Sequence, residues 1–327
     1  MDIRNLQKTG GQSYIITLPK NWVVTNSLKD KDKVKVFNHK HHLVIVPFSY
    51  KKTEKYPVCN IDSMTKQQIS REIIGYYLSG TENIVVKAHS LTYEQRAAVR
   101  QISYQLIGCE CLESSTNQML LKNVSNNINH VMPEYVEKMI SIITSMFQDS
   151  LLYLEKGDEK MAIDIIERDV EPDRLHLAII RSHNIRLNKI EVENTECLSL
   201  LDSRYYEQVA FHLERIADHI VRIAEYYLII DKKKNRVYYT PSEKTILKNT
   251  LNNLFFCKAM MSSFDKSKAH QYLDIFNTFV NLKTTSKYNN REFINLITAE
   301  SISRINHYIA NIAEEIINHI NIKLSLG

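Results

Sequence analysis

No stretch of eighteen or more apolar residues occurs in the chain, and no basic segment followed by an apolar one stands at its start. A membrane span or a secretory signal is therefore not expected, and the reading is cytoplasmic. The five cysteines (Cys59, Cys109, Cys111, Cys197 and Cys257) are scattered, with no C-x-x-C pair. That usage suits free thiols in a reducing compartment rather than a disulfide framework. Cys109 and Cys111 would share one face of a strand, where packing accounts for both. The glycine pair Gly10–Gly11 is not followed by G-K-[ST] opening a helix, so a phosphate-cradling loop is excluded. No Glu-x-x-His pair stands on the helices considered below, which counts against di-iron chemistry of the helical-bundle kind. No nucleophile–base arrangement stands out either, and the chain reads as something other than an enzyme.

What is present begins with charge. The 327 residues are 44% apolar and 24% charged, enough for two or three ordinary cores, and carry a net charge of +5. Residues 1–55 hold eleven Lys and Arg against four acids, a balance of +7, so the rest of the chain sums to −2. Basicity concentrated at one end is the footprint of a module that binds a polyanion, although a well-solvated surface has the same composition.

Within that basic end, "QSYIIT" alternates like a strand, with Tyr14 and Ile16 on one face and Ser13, Ile15 and Thr17 on the other. Pro19 suits the first turn of a short helix over "PKNWVVTN". "DKVKVF" and "HLVIVPF" read as two further strands, with "NHKHH" as the turn between them. The histidines of that turn are either solvated or a metal site. A β-α-β-β unit of this size cannot bury a core alone, so a dimer with interleaved strands is expected.

"KTGGQSYIITLPKNWV…SLKDKDKVKVF…HLVIVP" resembles the AbrB/SpoVT swapped-hairpin DNA-binding domain over residues 1–50. The resemblance implies DNA contacts near the first strand and hairpin, at Arg4, Lys8 and Lys20. Polar neighbours such as Gln7 and Thr9 would read bases. Gly10 and Gly11 would serve turn geometry and close backbone approach. The family's Gly-Asp before the third strand is Lys31-Asp32 here, so an altered turn is expected.

Residues 51–130 read as a linker, "KKTEKYP", and a small α/β piece. A helix over "DSMTKQQISREIIGYYLSG" leads to a strand "NIVVKA", a helix over "TYEQRAAVRQISYQLIG" and strands "CECLES" and "QMLLKN". With no chemical motif, this piece is a spacer or a dimerisation module.

From Pro133 onward the apolar spacing is helical, and residues 131–327 read as helical bundles. "HLERIADHIVRIAEYY" (residues 212–227) aligns with "SISRINHYIANIAEEI" (301–316), six of sixteen positions being identical. Two tandem three-helix units follow from this repeat. Overall the fold class is mainly α with a small β head.

The first helical unit contains two carboxylate pairs at i, i+4: Asp169 with Asp173, and Glu214 with Asp218. Each pair shares a helix face, and four converging carboxylates call for cations between them. Salt bridges to Arg168, Arg174, Arg215 and Arg222 are the competing explanation. "YLEKGDEKMAIDIIERDVEPDRL" and "HLERIADHIVRIAE" resemble the PhoU family, two-unit bundles whose E(D)-x-x-x-D motifs hold metal clusters. The resemblance implies Asp169, Asp173, Glu214 and Asp218 as ligands of divalent or iron-type metal ions. Pro172 should kink or restart its helix. In the second unit the equivalent positions are Phe276, Val280, Ser303 and His307, so at most one cluster per chain is expected.

An AbrB-like head on a PhoU-like tail resembles the archaeal phosphate-uptake regulators of that architecture. The implied function is a dimeric, DNA-binding transcriptional regulator of phosphate uptake and homeostasis with a metal-bearing sensor bundle. The alternative is a signalling adaptor that docks on a phosphate transporter subunit or a sensor kinase, with the head used only for dimerisation.

Overall fold

A computed structural model of the chain describes residues 3–39, 42–48, 56–124, 131–188, 198–232, 241–281 and 292–326. The protein is 67% helical with a small β region at its N-terminal end. Described residues up to 48 form one compact unit and those from 56 onward another.

In the first unit, β1 (Gln7–Thr9) and β2 (Ser13–Ile15) form an antiparallel hairpin, with Thr9 opposite Ser13. The sequence shows β2 but not β1, which is three residues long and exposed throughout. Gly10 and Gly11 turn the hairpin at φ of +54° and +76°, the left-handed region in which a Cβ is unfavourable. Open space surrounds both, so it is the turn and not a close approach within the chain that requires glycine. Helix α1 (Lys20–Thr25) follows Pro19, and β3 (Val34–His39) pairs with β4 (His42–Pro47). His39 is opposite His42, so the strands run into the expected "NHKHH" turn, of which Lys40 and His41 lie outside the described residues.

Lys31 has a φ of +70°. Lysine thus takes a left-handed conformation in the turn before β3, one that favours glycine. Asp32 closes the turn, its carboxylate accepting from the Lys29 N–H at 2.7 Å and its own N–H donating to the Lys29 carbonyl at 3.1 Å.

The second unit opens with an α/β layer. Strand β5 (Val58–Asn60) leads to α2 (Lys66–Leu78), and β6 (Asn83–Lys87) leads to α3 (Tyr93–Gln105). Strands β7 (Cys109–Ser114) and β8 (Gln118–Asn123) complete it. The sheet order is β5-β6-β8-β7, with β5 and β6 parallel and the other pairs antiparallel. Both helices start on a reciprocal cap. Thr65 accepts from the Gln68 N–H at 3.3 Å while Gln68 accepts from the Thr65 N–H at 2.9 Å, and Thr92 and Gln95 repeat the arrangement at 3.2 and 3.0 Å. Ile61, Val86, Met119 and Leu121 of the sheet side meet Ile69, Ile73 and Val99 of the helices in one core. Cys109 is buried in it, which agrees with a packing role.

The rest is helical: α4 (Val131–Lys156), α5 (Glu159–Arg168), α6 (Val170–Asn188), α7 (Leu200–Lys232), α8 (Pro241–Ser263), α9 (Lys266–Asn281) and α10 (Glu292–Leu326). Helix α4 stops at Gly157, whose φ is +70°. Asp158 then caps α5, accepting from the Lys160 N–H at 3.0 Å. The long helices α7 and α10 pack along each other and share one core with α4, α6, α8 and α9. The internal repeat supplies that seam: Ile216, Ile220, Ile223 and Ala224 are buried, as are their counterparts Ile305, Ile309, Ile312 and Ala313. Among the described residues, no helix is long and apolar enough to cross a membrane.

Candidate functional site: a carboxylate cluster at a helix break

The helix that Pro172 is expected to kink or restart is two helices, α5 and α6, with Asp169 at the break. Pro172 causes the restart. It stands buried in the first turn of α6, where a missing N–H leaves no bond unmade. The chain nevertheless keeps helical spacing, because the Asp173 N–H donates to the Asp169 carbonyl at 3.3 Å. Asp169 and Asp173 therefore stay one turn apart, as the i, i+4 spacing requires, and α7 presents Glu214 and Asp218 to them.

The four carboxylates lie within electrostatic reach of one another. Burial, and next the charges of Asp173, Asp218 and Glu225, push the Asp169 carboxyl up to about 7. Glu214 is likewise raised to about 7, by burial and by Asp218, Asp173 and Asp169, with Arg215 opposing. Asp173 is raised by burial and Asp218. The N-terminal end of α6 favours negative charge, yet desolvation and like-charge repulsion outweigh it here. Asp169 Oδ1 and Glu214 Oε2 are both buried without a hydrogen-bond partner.

Of the four arginines that compete with a metal, only Arg215 is paired with a cluster carboxylate. Its Nη1 lies 3.1 Å from Asp218 Oδ2 and its Nε lies 3.4 Å from Glu214 Oε2. The second contact is an ion pair without hydrogen-bond alignment, which is why Glu214 Oε2 is both near a cation and unbonded. Arg168 turns away to Asp149 and Asp164, and Arg222 to Glu300. The donor set is all carboxylate oxygen with two orphaned buried atoms, the donor type that hard or borderline cations take. As the side chains stand, no three His, Cys, Asp or Glu among the described residues are gathered tightly enough to hold one.

Two residues near the cluster escape the motif. Glu225, two turns after Asp218 on α7, adds to the field on Asp169. His176, one turn after Asp173, is held neutral by burial at a pKa of about 4, and its Nε2 has no hydrogen-bond partner. The i, i+3 spacing of Asp173 and His176 is a signal that sequence reading could have used.

In the second unit, Phe276 packs edge-on against His307, ring centres 4.9 Å apart, and His307 Nδ1 bonds the Ser303 carbonyl at 2.7 Å. An aromatic contact thus occupies positions that are carboxylate in the first unit. The side chain of Val280 lies outside the described residues.

In the N-terminal unit, Lys8 and Thr9 sit on β1, Lys20 opens α1, and Arg4 donates to Thr17 Oγ1 at 3.2 Å. All four side chains are exposed. So are Tyr14 (65%), Val24 (66%) and Ile3 (82%); in this unit only Pro47 is buried among the described residues.

Two family models match parts of the chain. Residues 136–227 match the PhoU domain, and residues 7–55 match the antidote-toxin recognition family MazE, bacterial antitoxin. The chain joins a MazE/AbrB-like N-terminal domain to a helical PhoU domain. The chain is similar to the phosphate transport system regulatory protein PhoU from Streptococcus pneumoniae (19% identity, TM-score 0.44). That likeness covers 58% of this chain and 94% of the other. It is also similar to PhoU from Pseudomonas aeruginosa (16% identity, TM-score 0.47, 58% of this chain and 95% of the other). Among curated proteins none matches.

Proposed function

We propose that the protein is a dimeric, cytoplasmic, DNA-binding transcriptional regulator of phosphate uptake and homeostasis, whose helical domain senses its signal through a bound metal. The observation that carries this reading is the joining of two parts. A PhoU domain is linked to a MazE/AbrB-like unit that holds +7 of charge in residues 1–55 and buries almost nothing of its own. A second copy supplies the missing core, and the paired heads present Arg4, Lys8 and Lys20 to backbone phosphates, with Gln7 and Thr9 at base edges. Asp169, Asp173, Glu214 and Asp218 are the ligands proposed for the metal, which when bound supplies positive charge that draws α5–α6 and α7 together.

Fluorescence anisotropy of the full chain tests the reading, on duplexes from phosphate-transporter promoters and on random duplex, across a salt series. Preference for one promoter is expected. Lys8→Ala and Lys20→Ala should each reduce the salt slope by roughly one unit. Equal affinity for every duplex at any salt would return the head to dimerisation alone and favour the signalling adaptor.

A further inference from the structure

One face of the α/β sheet is open among the described residues. On the other face, Cys59, Ile84, Val86, Met119 and Leu121 are buried in the core with α2 and α3. The alternation along each strand sends their neighbours to the open face, where Val58 is 51% and Leu112 54% exposed. We propose that this face pairs with the same face of a second copy, as a further contact in the dimer that the heads begin. Its affinity, though not its location, rests on the head pairing proposed above.

The open face is organised in rows. Val58 stands opposite Val85, and Val85 opposite Leu120, so three apolar residues cross three adjacent strands in line. Leu112 continues the row onto β7 as the extra residue of a bulge between Cys111 and Glu113. Asn60, Lys87 and Gln118 form a polar row on one side, and Asn83, Lys122 and Glu110 form one on the other. An apolar centre inside a polar rim is the anatomy of an interface.

A second copy is the occupant that this layout matches. The face carries both signs, so neither an acidic nor a basic partner is matched throughout. A two-fold axis in the plane of contact, passing between β6 and β8, lays one apolar row on the other. With the axis along the row, Lys87 meets Asn83 of the second copy and Lys122 meets Gln118 of the second copy. With the axis along the strands, the two amides change places. In neither arrangement does lysine meet lysine. Four strands and three rows span about 20 Å by 20 Å, on the order of 800 Å² over both copies. That is below the roughly 1,200 Å² of a self-sufficient interface, so the contact needs a tether. Seven residues separate Phe48 of the head from Tyr56. A joint that short gives paired heads a roughly millimolar local concentration of the second sheet.

Photocrosslinking of the purified full chain tests this, with p-benzoylphenylalanine in place of Lys87 at the rim and sedimentation velocity run alongside. Illumination should join two copies, and peptide mass spectrometry should place the adduct within residues 56–124. Val58→Lys and Leu120→Lys should each cut the yield about ten-fold, by bringing unpaired charge onto the apolar row. Val58 is already exposed in the single chain, so that variant guards against loss of folding in the other. The same probe at Tyr104, exposed on α3, should give no adduct. A chain that sediments as a dimer but does not join through position 87 would overturn the proposal and leave the head pairing intact. Yields untouched by both lysine variants, or equal from positions 87 and 104, would overturn it as well. A chain that sediments only as a monomer removes the head pairing and this contact together.

Discussion

The guanidinium of Arg181 lies 4.8 Å from the ring centre of Tyr77 and donates to that same residue's carbonyl. A second nitrogen reaches the Gly80 carbonyl at 3.4 Å, and Asn184 donates to the Leu78 carbonyl at 2.9 Å. Helix α6 therefore caps the C-terminal end of α2 with its own side chains. The buried charge of Arg181 rests against the negative end of that helix. Arg181→Met leaves these carbonyls unmatched and should lower the stability of the full chain by about 2–3 kcal/mol. Arg181→Lys should recover part of it. Urea denaturation followed by circular dichroism reads both; equal stability of Arg181→Met and wild type would make the contact incidental.

Gly80 gives the same junction a steric test. Its φ is +86°, and a Cβ there would sit 2.6 Å from Ile185 Cγ1. Gly80→Ala meets both a left-handed backbone and a packed side chain, so a loss of about 2–3 kcal/mol is expected. Adding Ile185→Ala, which removes Cγ1, should relieve the clash but not the backbone cost, so Gly80→Ala should cost less in the Ile185→Ala background than in wild type. No rescue would put the whole cost in the backbone.

Much of this architecture is legible because its causes are local or periodic. The repeated Ile and Ala of 212–227 and 301–316 announce the α7–α10 seam, and Pro172 announces the restart at α6. Strands β1 and β5 are not legible, since each is three residues long, too short for an alternation to show, and β5 exists through its pairing with the distant β6. The carboxylate positions can be read from i, i+4 spacing, but the allocation of arginines cannot. Arg168 is sequence neighbour to Asp169 yet bonds Asp149 on α4, a choice made by helix packing. Lys31 is a third kind of failure. Nothing in the residue type announces that this lysine adopts a left-handed backbone.

The raised carboxyls predict how a neutralising substitution responds to pH. Asp169 titrates at about 7 in the folded metal-free chain and near 4 when unfolded, so between those values the folded state holds the extra proton. Stability contributed by that proton is present below about 4 and lost as pH rises through about 7. Buried His176 works the other way, because folding lowers it to about 4, so the whole-protein curve mixes opposite slopes. The difference between Asp169→Asn and wild type isolates the carboxyl. The variant should be the more stable at pH 8 and no more stable at pH 4. If Asp169 is the metal ligand proposed above, saturating Mn²⁺ should reverse the order at pH 8, since the variant lacks that carboxylate. A difference that does not vary with pH would show that Asp169 is not repelled by its neighbours.

Lys31 separates backbone strain from side-chain function in the basic head. At a φ of +70° its Cβ crowds the following carbonyl, a cost of about 1 kcal/mol that glycine does not meet. The surrounding turn holds it there through the paired Lys29 and Asp32 bonds. Lys31→Gly should therefore stabilise the head, by something less than the full strain because glycine is also freer when unfolded. Lys31→Ala keeps the Cβ and removes the charge, so it should gain nothing. Hydrogen exchange of β3 and β4 amides in the full chain reads the local stability of each variant. Slower exchange in Lys31→Gly than in Lys31→Ala locates the effect in the backbone. Equal exchange would mean that the turn relaxes around lysine without strain.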